Sequence, residues 1–268
     1  MAKEILRLMT ELSSHKWISA MMGRFSHSRI SKRVIPTFIK SYQIPAHEAE
    51  KEIHEYRSLN EFFARRLKPG MRPIGQGDQV LTSPVDGKIT AMGRINAGTL
   101  LNVKGQDYSL EELLNYSPHL ELYKHGYFFV LYLSPTDYHR IHSPVTGVKV
   151  ESEHIKGRAY PVNEFGMTHM KTVLSRNERL ITYIAHNQGE VAVVKVGAMN
   201  VSSIHYNDKT VTQWRNGDDL AYFEFGSTVV LITEDDTFTL DSNIHMGDAV
   251  KMGQLLGQLH TSRSKAPS

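Results

Sequence analysis

The 268 residues are long enough to bury a substantial core, either as one large domain or as two small ones. A composition of 40% hydrophobic and 22% charged residues excludes global disorder, and the absence of cysteine excludes disulfides, thiolate metal sites and a cysteine nucleophile. A net charge of +3 is too small to argue for nucleic acid as a partner.

The positive charge is concentrated at the start of the chain. Before Pro45 lie Lys3, Arg7, Lys16, Arg24, Arg29, Lys32, Arg33 and Lys40, opposed only by Glu4 and Glu11. Ile5, Leu8, Met9 and Leu12 recur at helical spacing, followed by Trp17, Ile18, Met21, Met22 and Phe25. A basic amphipathic segment of this kind suits an anionic membrane surface, although the same pattern would also serve to pack helices on a main domain. The longest strongly apolar run, 127–133, falls far short of the roughly 20 residues a spanning helix needs. A basic n-region followed by an apolar h-region is missing from the start, so a cleaved signal peptide is not expected. Any membrane contact is therefore expected to be peripheral.

Helical signals continue to about residue 70. Ser58 with Glu61 reads as a capping box opening a helix over 59–67, and Lys68-Pro69-Gly70 reads as its stop. From about residue 80 the pattern changes to short β runs separated by Gly, Pro, Asn and Asp: 88–95, 127–133, 148–153, 180–185, 191–201, 220–233 and 254–259. The runs at 190–204 and 220–233 are too apolar for sheet edges and should lie in the core. No long repeat is visible, but Pro84-Val85-Asp86-Gly87 and Pro144-Val145-Thr146-Gly147 each follow a serine and precede a β run. Met246–Gln254 resembles the closing turn of a biotinyl/lipoyl-type β-sandwich, without a lysine in the position that a carrier domain modifies. The expected fold is α+β, with a predominantly β barrel-sandwich core and N-terminal amphipathic helices. The expected division is a helical membrane-docking region over 1–70 and a β-rich catalytic domain over 71–268.

Three features could carry chemistry. Ser134–Pro144 places Tyr138, His139, Arg140 and His142 directly after an apolar strand, between prolines that disfavour a long regular element. Its histidines could be acid/base groups, metal ligands or plain surface residues. Ser83–Gly87 is a strong turn signal, and Asp86 within it could be the carboxylate that orients a histidine. In the third, Gly226-Ser227-Thr228 interrupts a β-forming run, either as a bulge or as a place where a serine hydroxyl can reach the preceding carbonyl.

Phe225-Gly226-Ser227-Thr228 closely resembles the self-processing site of the phosphatidylserine decarboxylases. Residues 132–147 are similar to that family's histidine loop, and 83–87 to its aspartate turn. Further matches are Phe62-Phe63-x-Arg65-x-Leu67-Lys68-Pro69-Gly70-x-Arg72-Pro73, Pro161-Val162-Asn163, Arg176-Asn177-Glu178-Arg179 and Val196–Val201, in order from about residue 50 onward.

The resemblance implies a processing triad of Asp86, His142 and Ser227. His142 would take the proton of Ser227 while Asp86 holds the imidazole in the right tautomer. Ser227 would attack the Gly226 carbonyl, and elimination would leave dehydroalanine on the downstream fragment. This would tautomerise and hydrolyse, releasing ammonia, to an N-terminal pyruvoyl group on an α chain, 227–268, that stays associated with a β chain, 1–226. This pyruvoyl cofactor, formed from Ser227, would take the amine of phosphatidylserine as a Schiff base, release carbon dioxide and yield phosphatidylethanolamine. His139 would bind the substrate carboxylate or return a proton. The resemblance requires no metal and places the protein peripherally on the cytoplasmic face of a membrane, with the monomer or homodimer question open. Serine at position 227 of one continuous chain corresponds to the precursor. Two alternatives remain at this level: a metal-dependent hydrolase using Asp86, His139 and His142, and a non-catalytic membrane adaptor on a β scaffold.

Overall fold

The computed structural model describes residues 24–96, 101–103, 106–162, 167, 170–198, 204–224 and 227–262, with the backbone alone at 101–103 and at Ser227. The N-terminal amphipathic segment up to residue 23 therefore lies outside the described residues, as do Phe225 and Gly226.

The chain opens with a 3-10 turn, Arg29–Val34, and helix α1, Ile35–Tyr42, with Pro36 in its first turn, where a missing amide hydrogen is tolerated. Helix α2 spans Leu59–Phe63, shorter than the expected 59–67. The Ser58 side chain caps it by accepting from the Glu61 amide, but the Glu61 carboxylate accepts from the Arg57 amide, one residue earlier than a capping box requires. Ile35, Ile44, Ala49, Tyr56, Leu59 and Phe62 form a small core of their own.

The rest is an antiparallel β structure with a nested repeat. A parent unit begins with β1 (Val80–Thr82), β2 (Gly87–Arg94), the hairpin β3 (Leu101–Val103) and β4 (Gln106–Tyr108), and β5 (Tyr127–Leu133). A second unit follows: β6 (Arg140–His142), β7 (Gly147–Ile155), β8 (Arg179–His186), β9 (Gly189–Val196), β10 (Ile204–Tyr206), β11 (Gln213–Trp214) and β12 (Asp219–Phe223). The parent unit then resumes with β13 (Ser227–Thr233), β14 (Phe238–Leu240), β15 (Ala249–Val250) and β16 (Leu255–Leu259). The eight-stranded sheet has the order β11-β7-β8-β9-β13-β5-β2-β15, a pseudo-twofold arrangement about the β9–β13 pair. Two three-stranded sheets, β1-β16-β14 and β10-β12-β6, match in the same way. Where the second unit joins β8 to β9 by a tight hairpin, the parent unit has that whole unit inserted between β5 and β13.

The correspondence extends to single bonds. Bulges fall between Ile89 and Ala91 in β2 and between Lys149 and Glu151 in β7. The Thr82 amide donates to the Pro144 carbonyl (3.0 Å) and the His142 amide to the Pro84 carbonyl (2.8 Å), so the two Ser-Pro-Val turns clasp each other reciprocally. Gly253 and Gly217, at φ +83° and +86°, occupy equivalent turns, and a side chain on either would collide with Ile74. The short recurrent motifs in the sequence are the visible trace of this symmetry.

The strands expected at 127–133, 148–153, 180–185 and 254–259 are present to within a few residues. β9 and β13 lie at the middle of the large sheet, as their apolar character requires. The expected single run over 220–233 is instead two strands, β12 and β13, in different sheets. One face of the large sheet is covered by short helices around Leu110, Leu113, Tyr123 and Val173. The other face packs on the small sheets through Leu131, Ile141, Leu220, Phe223, Val229 and Leu256, giving the sandwich interior of an α+β fold.

Candidate active site

The site residues gather where the second unit leaves and rejoins the parent. Leu133 pairs with Ser227 in the large sheet, and Tyr222 pairs with Arg140 in the small one. The Phe223 amide donates to the His139 carbonyl (3.2 Å). His139 thus lies beside Phe223, which stands four residues before Ser227 in the chain.

His142 is 8% exposed at the end of β6. Its Nδ1 lies 2.8 Å from the Gly217 carbonyl oxygen, which can only accept, so Nδ1 carries the proton. Nε2 is then the basic nitrogen, and the buried Tyr138 hydroxyl donates to it at 3.0 Å. Burial lowers the His142 pKa, against the opposing effects of Asp219 and the Gly217 carbonyl, and keeps the ring neutral.

Asp86 is 1% exposed and is held by cations. Arg72 grips it through Nε (2.9 and 3.1 Å) and Nη2 (2.6 Å), Lys251 Nζ lies 3.1 Å from Oδ2, and the Met252 amide donates to Oδ1 at 2.9 Å. Burial by itself would raise this carboxyl, but Arg72, the Met252 amide and Lys251 together hold it below the usual carboxylate range. Arg72 also binds Glu48 at 2.8 Å. Among the described residues Asp86 makes no hydrogen bond to His142. The expectation that Asp86 fixes the imidazole tautomer is therefore corrected: the Gly217 carbonyl does so, and Asp86 acts on the ring only through its charge.

His139 is fully buried, its ring tilted 42° to that of Phe63 at 4.0 Å, ring centre to ring centre. Its Nδ1 donates to the Asp137 carbonyl (2.9 Å), while Nε2 is buried without a hydrogen-bond partner among the described residues. Burial pushes its pKa down to about 3, so the ring is neutral. Arg140, between the two histidines, forms a forked pair with Asp219 and donates to the Ala64 carbonyl, fastening the loop to the end of α2.

An open cavity of about 450 Å³ adjoins His142 and Tyr138 and is lined also by Arg66, Lys68, Arg72 and Asp219. Among the described residues no three His, Asp or Glu side chains converge as metal ligands. Tyr138 and Gly217 were not foreseen as site members. A backbone carbonyl leaves no mark in a sequence, and Arg65 and Arg72 stood in a matching stretch without a role.

A family model described as phosphatidylserine decarboxylase matches residues 59–258. A relative from Anoxybacillus flavithermus is 43% identical over 97% of this chain and 97% of its own length. Another, from a Geobacillus species, is 42% identical over 97% of this chain and all of its own, and one from Halalkalibacterium halodurans is 40% identical over 96% and 98%. Each of these is named a phosphatidylserine decarboxylase proenzyme. Similarity of this extent, with the two histidines and the aspartate turn drawn together by the fold, makes the chain a member of the phosphatidylserine decarboxylase family.

Proposed function

We propose that the chain cleaves itself between Gly226 and Ser227, and that the processed enzyme converts phosphatidylserine to phosphatidylethanolamine and carbon dioxide. The observation that supports this most directly is the pairing of Ser227 with Leu133 and of Tyr222 with Arg140, which sets the start of β13 beside the loop that carries His139 and His142.

His142 suits the role of base in processing. It is neutral, its proton is fixed on Nδ1, and its basic nitrogen, Nε2, accepts from Tyr138 and is held in place by it. It takes the Ser227 proton as Ser227 attacks the Gly226 carbonyl, exchanging a peptide for an ester bond. The Asp86 carboxylate favours the imidazolium that forms, through space. The products are chains 1–226 and 227–268.

The pyruvoyl group derived from Ser227 supplies an electron-withdrawing carbonyl to which the substrate amine becomes joined. His139 fits the surroundings of such a group: its Nε2 is buried, neutral and unpartnered, ready to hold or return a proton at the reacting carbon.

A two-chain lipid does not readily leave its bilayer, so the enzyme works at the membrane surface. Among the described residues no helix is long and apolar enough to cross a membrane. Phe25, Ile30 and Val34 are exposed among Arg24, Arg29 and Arg33, a surface suited to anionic lipid on the cytoplasmic face, and we assign docking to the region up to residue 70.

The test is Ser227→Ala, with two companions. Ser227→Ala and His142→Ala should each leave one uncleaved, folded chain on a denaturing gel, with no carbon dioxide released from phosphatidylserine. His139→Ala should cleave at least in part and decarboxylate poorly. An uncleaved Ser227→Ala chain that decarboxylated at the wild-type rate would end the proposal.

A further inference from the structure

Arg65 is a buried cation to which the site described above gives no partner. It follows α2, only 3% exposed, with its guanidinium 5.0 Å above the Phe62 ring. Two of its nitrogens, Nε and Nη1, are buried without a hydrogen-bond partner among the described residues. Buried N–H groups are nearly always paired, and a buried charge without a counter-ion is costlier still. The nearby carboxylates do not serve it: Glu48 and Asp86 both bind Arg72. Their charges offset only part of the burial that weakens the Arg65 guanidinium.

The position of these unpaired N–H groups is informative. Arg65 is near enough to His139 for its charge to act on that ring. The preceding residue, Ala64, accepts from Arg140 of the histidine loop, so Arg65 is anchored to that loop. His139 Nε2 is also buried without a partner among the described residues. A neutral imidazole beside a guanidinium with no ion-pair partner among them makes a local charge of one, with two N–H groups left to donate. That combination suits an anionic acceptor such as a carboxylate.

We infer that Arg65 is the receptor for a carboxylate that is absent from the uncleaved, substrate-free chain. Resting on the proposed function, two carboxylates could arrive there. One is the serine carboxylate of the substrate, which must come close to His139 to be lost. The other is the new C-terminus at Gly226, which cleavage creates three residues after Phe223, whose amide donates to the His139 carbonyl.

Two arms separate these sources. In the first, the full Ser227→Ala chain is titrated calorimetrically with glycerophosphoserine and glycerophosphoethanolamine, which differ only by the carboxylate. A substrate site predicts about ten- to hundredfold tighter binding of the serine headgroup, lost in the added Arg65→Met and reduced in Arg65→Lys. In the second arm, thermal midpoints of cleaved and uncleaved chains are compared with and without the Arg65 substitutions. A receptor for the Gly226 terminus predicts no headgroup preference, but a stabilisation on cleavage that Arg65→Met and Arg65→Lys diminish.

If the chain with Arg65 intact shows neither headgroup preference nor stabilisation on cleavage, the inference falls, even should both variants fail to fold. It falls equally if either effect is present and both variants leave it unchanged. Failure of the wider reading looks different: the wild-type chain would then neither cleave nor release carbon dioxide.

Discussion

Arg72→Met in the Ser227→Ala chain, which keeps the preparation uniform, tests the electrostatic frame of the site. Arg72 has 6% of its side chain exposed and closes a forked pair on Asp86, which has 1% exposed. Removing one partner of a buried pair costs about 3–5 kcal/mol, because the other charge is left stranded. Lys251 at 3.1 Å and the Met252 amide at 2.9 Å would still hold Asp86, which places the expectation near the lower end, about 3 kcal/mol. At about 2–4 °C per kcal/mol for a chain of this size, the melting temperature should fall by about 6–12 °C. Urea denaturation should show a lower midpoint with an unchanged slope, and a cycle with Asp86→Asn should give a coupling of about 2 kcal/mol. The pH dependence has a defined sign. A carboxyl held below its ordinary range stabilises the fold above that range, and the benefit is lost as pH falls through the lowered pKa. Arg72→Met raises the folded Asp86 pKa toward its unfolded value, so the acid loss should end at higher pH and be smaller in total. A loss of stability under about 0.5 kcal/mol, or additive behaviour with Asp86→Asn, would refute the pairing as a source of stability.

Two further outcomes are expected. Tyr138→Phe in the Ser227→Ala chain removes a hydroxyl that donates to neutral His142 Nε2, so the His142 pKa should rise when followed by NMR titration; an unchanged or lower value would show that Tyr138 does not set the state of the base. Reversing the charges of Arg24, Arg29 and Arg33 should weaken binding to anionic vesicles at least tenfold, at about 1 kcal/mol per basic group, with the difference shrinking in high salt. Lys32 is spared because its ammonium donates to the His54 carbonyl, and equal vesicle binding by both proteins would count against docking through this surface.

The strands were legible because their apolar runs are bounded by turn residues, as at Tyr127–Leu133. The break between β12 and β13 was not, since residues on both sides of it are buried and apolar. Only Gly226 marked the place, and it reads as a bulge or a chemical signal rather than as a change of sheet. The symmetry was nearly invisible for a related reason: Val, Leu and Ile substitute freely in a core, so only turns with special geometry kept their spelling. Asp86, His139 and His142 could be named from the sequence, but their working partners could not. Arg72 is distant in sequence from the group it holds, and the Gly217 carbonyl and Met252 amide belong to the backbone, which every residue possesses.

The nested arrangement also decides what kind of object the mature protein is. The short segment after residue 226 supplies β13, bonded on both sides to β5 and β9, together with β15 at the far edge of the large sheet and β16 at the centre of the sheet β1-β16-β14. Before the proposed cut, that segment is tethered to its place, and forming the fold is a unimolecular reaction. After the cut, the same contacts hold two separate molecules together, and reassembly from the unfolded state would depend on their concentration. Neither piece then has a complete large sheet, and each exposes unpaired strand edges that favour aggregation. Recovery of the mature form after unfolding would thus depend on protein concentration, whereas that of the precursor would not.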